Sequence, residues 1–77
     1  MKELLEFLAR GLVEDPDAVV VTEVEEVEGE VILEVEVADD DLGRVIGRGG
    51  RIANALRSVM KAAATRAEKR VVVEILD

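Results

Sequence analysis

Residues 43–57 read GRVIGRGGRIANALR, with three glycines among the four positions 47–50 and arginines at 44, 48, 51 and 57. Leu42, Val45 and Ile46 precede the glycines at helical spacing. Ile52, Ala55, Leu56, Val59, Met60, Ala63 and Ala67 follow them at i, i+3, i+4, i+7, i+8, i+11 and i+15, the strongest helical signal in the chain. The glycines therefore form a turn between two helices. Glycine permits left-handed backbone angles and puts no side chain in the way of an approaching group. The second helix starts at the same point, where its unpaired N–H groups and the positive end of its dipole favour an anion.

Working outward, Asp39, Asp40 and Asp41 are expected to N-cap the first of these helices and to place negative charge in its first turn. Before them, Val31, Leu33, Val35 and Val37 alternate with Ile32, Glu34 and Glu36, the period of a half-buried strand. A partner strand around Val19 to Val27 alternates less cleanly, which predicts a bulge or an exposed edge, and the two join near Glu28-Gly29-Glu30. Leu4, Leu5, Leu8 and Leu12, with Phe7 alongside, predict one apolar stripe on a helix from Met1 to Glu14, stopped by Asp15-Pro16-Asp17. The final run, RVVVEILD, reads as a third strand.

The predicted order is helix, strand, strand, helix, glycine turn, helix, strand: an α+β domain with helices on one face of a three-stranded sheet. The short hairpin link makes the first two strands antiparallel. The long helical crossover, right-handed, lets the third lie parallel to the second, so the sheet is mixed. At 77 residues and 49% hydrophobic content, one small domain spanning 1–77 is expected, with no room for two.

Charge is segregated along this order. The chain carries a formal net charge of -8, but residues 44–70 hold eight cations against Glu68 alone, a local +7, while residues 1–43 hold only Lys2 and Arg10 against fifteen carboxylates. Only the helix–turn–helix unit offers the positive surface that a polyanion requires. Glu23, Glu25, Glu26, Glu28, Glu30, Glu34 and Glu36 are expected to form the solvated face of the hairpin and to repel nucleic acid from it.

Several chemistries are excluded. With no His, Cys or Tyr, the usual nucleophile–base pairs are missing, so no enzyme activity is expected. The P-loop pattern fails because no Lys-Ser/Thr pair follows the glycines, and the dinucleotide pattern fails because its last glycine is Ile52 and the turn follows a helix. Capping explains the three aspartates more simply than a metal does, and no cofactor is expected. One Phe, with no Tyr or Trp, rules out an aromatic stacking platform. The chain lacks cysteine, any apolar run near the roughly 20 residues that span a bilayer, and a signal-peptide pattern, which predicts a soluble cytoplasmic protein without membrane contact.

The segment VIGRGGRIANALR, preceded by two strands and followed by one, resembles the K-homology (KH) domain in its type II order, and specifically the small bacterial single-KH RNA-binding proteins of the KhpA type. The resemblance implies a GXXG loop that clamps the backbone of about four nucleotides of single-stranded RNA. It assigns Gly47, Arg48, Gly49 and Gly50 to the clamp. Ile46, Ile52 and Val45 are the aliphatic residues available to bases, although residues of this kind at helical spacing serve equally as core. Arg44, Arg51, Asn54, Arg57 and Lys61 are the polar contacts along the flanking helices, with RVVVEILD as the opposite wall. The resemblance further implies an RNA chaperone or post-transcriptional role, and a partner: a second copy or another KH-containing RNA-binding protein. A competing reading makes the glycine turn a mere connection, with the acidic hairpin or the first helix docking a basic protein.

Overall fold

Alternation in the second strand sets the two faces of the sheet. In the computed structural model, which describes residues 1–77, strand β2 (Glu30–Glu36) lies at the centre of a three-stranded sheet. Strand β1 (Val20–Val27) pairs with it antiparallel, and β3 (Arg70–Ile75) pairs with it parallel. The sheet is mixed, as the lengths of the connections require. Residues directly opposite one another share a face, so the rows Val21–Val35–Ile75 and Glu23–Leu33–Val73 point one way, and Thr22–Glu34–Glu74 and Glu25–Ile32–Val72 the other.

Helices α1 (Lys2–Leu12), α2 (Leu42–Ile46) and α3 (Arg51–Arg66) cover the first face. Leu5, Leu33, Val35, Val45 and Met60 are the largest fully buried side chains and bring all three helices onto β2. Burying each contributes about 1.5–3 kcal/mol. The lapse in alternation in β1 is a bulge, with the register shifting between Glu23 and Glu25. The hairpin turns on Glu28 and Gly29, which both have positive φ (52° and 81°), the backbone that a two-residue loop needs to match strand twist.

Four expectations are corrected. Phe7 is not part of the buried stripe: it lies two residues past Leu5, about 200° round the helix, and is 74% exposed, while Ala9 takes the buried position. On α3 the face against the sheet is Ala53, Leu56, Met60 and Ala64, whereas Ala55, Val59 and Ala67 are exposed. The apolar arc of α3 is wider than the sheet can cover, and its flank turns toward α1 instead.

Asp39–Asp41 form a 3-10 turn of their own, and none of them caps α2 with its side chain or supplies charge to its first turn. The Asp41 carboxylate is buried and accepts hydrogen bonds from the backbone N–H groups of Glu14 (3.0 Å) and Asp15 (3.1 Å), fastening the chain after α1 to the start of α2. The hairpin glutamates do not share one face. Glu25, Glu34 and Glu36 lie on the open side, but Glu23 and Glu26 oppose Leu33 and Val31 on the helix side, at an edge of the sheet where both stay solvated.

Candidate nucleic-acid interface

The glycine turn is shaped by backbone angles that other residues resist. Gly47 (φ 75°, ψ 170°) ends α2, and Gly49 (φ 64°, ψ 19°) and Gly50 (φ 79°, ψ 14°) carry the chain into α3. The N–H of Gly47 donates to the Gly43 carbonyl at 2.8 Å and that of Gly50 to the Gly47 carbonyl at 3.1 Å, so the turn is internally hydrogen-bonded. No atom lies within 4 Å of where a Cβ on Gly49 would sit; that position faces open space.

Behind this opening stands the N-terminus of α3, which no side chain caps. Arg48 and Arg51 are exposed on either side of it, and neither has a carboxylate within ion-pair distance. A polyanion backbone approaching Gly49 meets the positive helix end and two guanidinium groups that no carboxylate engages.

From there Asn54, Arg57 and Lys61 continue along one side of α3, all exposed. That side faces β3, since Arg57 donates from Nε to the Val73 carbonyl at 3.2 Å. Arg57 thereby ties the two walls of the cleft together and keeps its remaining donors for a ligand.

The other sequence candidates are separated. Arg44 is drawn into an acidic corner, with Nη2 2.7 Å from Glu14 Oε1 and Nε 3.7 Å from Asp41 Oδ1, so its charge is engaged before any ligand arrives. Val45 is fully buried and belongs to the core. Ile46 is 37% exposed beside the turn and remains available to a base. Ile52 is half-buried on the opposite flank of α3, lining a groove with Leu8 and Leu12. Periodicity could not separate these three, because all are aliphatic residues on short helical stretches next to the same turn.

The far side of the domain suits a polyanion poorly. Glu34 and Glu74 lie directly opposite each other on the open face of the sheet, with Glu25 and Glu36 nearby, so a phosphate backbone is repelled there. Arg51, Arg57 and Lys61 belong to α3, in the helix layer on the other side of the sheet.

A family model described as "KhpA/KhpB, KH domain" matches residues 2–75. The chain belongs to the KhpA/KhpB KH-domain family. It is similar to the RNA-binding protein KhpA of Clostridium acetobutylicum, at 57% identity over 99% of this chain and 100% of that one. The RNA-binding protein KhpA of Clostridium perfringens is 53% identical over the same shares, and that of Aquifex aeolicus 46% identical over 100% of this chain and 96% of its own. The family is one of RNA-binding proteins and not of enzymes. No helix of this KH domain is long and apolar enough to cross a membrane.

Proposed function

We propose that this KH domain is a non-catalytic module for single-stranded RNA, in which Gly47, Arg48, Gly49 and Gly50 clamp the backbone of about four nucleotides. The observation that carries the reading is the open approach over Gly49 to an uncapped helix N-terminus flanked by the unpaired Arg48 and Arg51. Arg51, Asn54, Arg57 and Lys61 contact the strand as it passes along α3, and Ile46 packs against a base. Arg44 and Ile52 act by supporting the fold beside the clamp. The names of the relatives at 46–57% identity support RNA as the ligand.

One such groove holds few nucleotides and binds weakly. Pairing with a second copy, or with another KH-containing RNA-binding protein, links two grooves and raises avidity. The cellular role that fits is that of an RNA chaperone or post-transcriptional factor in the cytoplasm.

The test is to replace Arg48 and Gly49 together with aspartate and titrate labelled single-stranded RNA. Loss of binding by a folded variant is expected. Unchanged binding overturns the reading, and unchanged association with a basic protein points to the acidic hairpin or α1 as the working surface instead.

A further inference from the structure

The polar side of α3 runs on past the clamp. Asn54, Arg57, Lys61 and Thr65 lie within about 80° of one another round the helix at 100° per residue, on the flank that Arg57 fastens to Val73. This stripe ends in an open cavity of about 360 Å³ between the last turns of α3 and the start of β3, lined by Glu30, Lys61, Thr65, Lys69, Arg70 and Val71. Ten residues of helix separate Arg51 from Lys61, about 15 Å, so the cavity lies at the opposite end of the cleft from the glycine turn.

Three cations converge on it in a chain with 18 carboxylates and 10 cations. In such an acidic protein a surface cation has many carboxylates available to it, yet Lys61 and Arg70 have none within ion-pair distance. Arg70 stands opposite Glu30 in the sheet without forming an ion pair with it. Lys69 is held by one exposed partner, Glu26, at 2.6 Å, which uses one of its three donors. Arg48, Arg51, Arg57, Lys61 and Arg70 are thus cations without a carboxylate partner, and at the cavity Glu30 is the one carboxylate in the lining, set against Lys61, Lys69 and Arg70.

We propose that this cavity holds a further phosphodiester of the same RNA strand, extending the track beyond the four clamped nucleotides to end on Lys61, Lys69 and Arg70. The inference rests on the RNA-clamp reading. Arg70 supplies a fork of donors for the phosphate oxygens, and the two lysines supply point charges.

The test compares tetra- and octauridine titrated into isotopically labelled protein, wild type and the Lys69→Gln/Arg70→Gln double variant. In the wild type, the octamer shifts the amide signals of Lys69 and Arg70 while the tetramer leaves them in place. The double variant is expected to bind the tetramer within about twofold of wild type and the octamer about fivefold or more weakly. The slope of log affinity on log salt for the octamer falls by about 1.4, two lost contacts at about 0.7 each.

An octamer that the variant binds as well as wild type overturns the extension, as does equal weakening at both lengths. So does inorganic phosphate alone moving the Lys69 and Arg70 signals as far as the octamer does, which marks a free-anion site. Wild-type protein that binds neither oligonucleotide removes the RNA-clamp reading itself. The wild-type signal shifts decide the matter without the variant, and both substituted residues are exposed.

Discussion

The backbone nitrogen of Ile52 lies 2.9 Å from the point that a Cβ on Gly47 would occupy, and the Ile52 side chain crowds that point further. Gly47 also holds φ 75° with ψ 170°, a combination essentially confined to glycine. Gly49, two residues on, is left-handed at φ 64° and ψ 19° but has nothing within 4 Å of a new Cβ. Alanine at the two positions therefore separates packing from ligand approach. Gly49→Ala costs about 1–2 kcal/mol of left-handed strain, lowering Tm by about 4–16 °C. Gly47→Ala adds the collision with Ile52 and lowers Tm further, or prevents folding. Thermal unfolding of both variants by circular dichroism checks the order. Gly49→Ala also weakens RNA binding, because its methyl group stands where the strand approaches.

Asp41 makes the second prediction. Its carboxylate is the partner of the N–H groups of Glu14 and Asp15 and also lies near Arg44. Asp41→Ala leaves those donors without an acceptor and costs about 1–3 kcal/mol, a fall of about 4–24 °C in Tm for a domain of this size. Asp41→Asn retains one acceptor oxygen and falls between alanine and wild type. Neither variant touches the glycine turn, so affinity for a tetranucleotide at a temperature where both are folded stays at the wild-type value. Differential scanning calorimetry and an RNA titration measure the two halves.

These two examples show what the sequence discloses and what it hides. Local signals were sufficient for the architecture. Alternation in residues 31–37 identifies the central strand, the broken alternation of β1 is its bulge, and the glycines at 47, 49 and 50 mark the turn. Features that depend on distant partners were not legible. Asp41 looks like a helix cap because the donors it serves are 26 and 27 residues away. Arg44 looks free because Glu14 is 30 residues away. Ala55 and Val59 are as apolar as Ala53 and Ala64, and only the position of the sheet decides which pair is buried. Lys69 and Arg70 join the cleft because β3 starts beside the end of α3, a matter of topology and not of local pattern.

Lys69 gives a prediction in pH. Its hydrogen bond to Glu26, followed by the charge of Glu26 and then of Glu23, raises the ammonium above the ordinary lysine value of 10.5. With the folded value above the unfolded one, the pair's contribution is complete below pH 10.5 and is lost as pH rises through the folded value. The group is exposed and screened, so its effect on stability at neutral pH is small. Titration of the Lys69 Nζ signal by NMR is expected to lie at lower pH in Glu26→Gln than in the wild type. A Lys69 whose titration is the same in both proteins shows that the pair does not persist in solution.

Val59 tests the proposed pairing. It is 45% exposed and lines a groove of about 220 Å³ with Leu8, Leu12, Ile52, Ala55 and Leu56, an all-apolar surface between α1 and α3. On α3 it lies about 160° round from Lys61, so a partner seated there leaves the cationic cleft open, and two paired copies present two usable grooves. A charge in the middle of this surface cannot be buried without a partner, at a cost of several kcal/mol. Val59→Glu is therefore expected to sediment as a monomer at concentrations where the wild type pairs, and to keep wild-type affinity for a tetranucleotide. It loses the avidity gain on an RNA carrying two binding segments, about 100-fold or more where the linker permits both to engage. Sedimentation velocity and a titration with one-site and two-site RNAs measure these outcomes together. A Val59→Glu protein that still pairs places the interface elsewhere on the domain, and one that loses tetranucleotide binding shows that the α1–α3 groove is coupled to the clamp through Ile52 and Gly47.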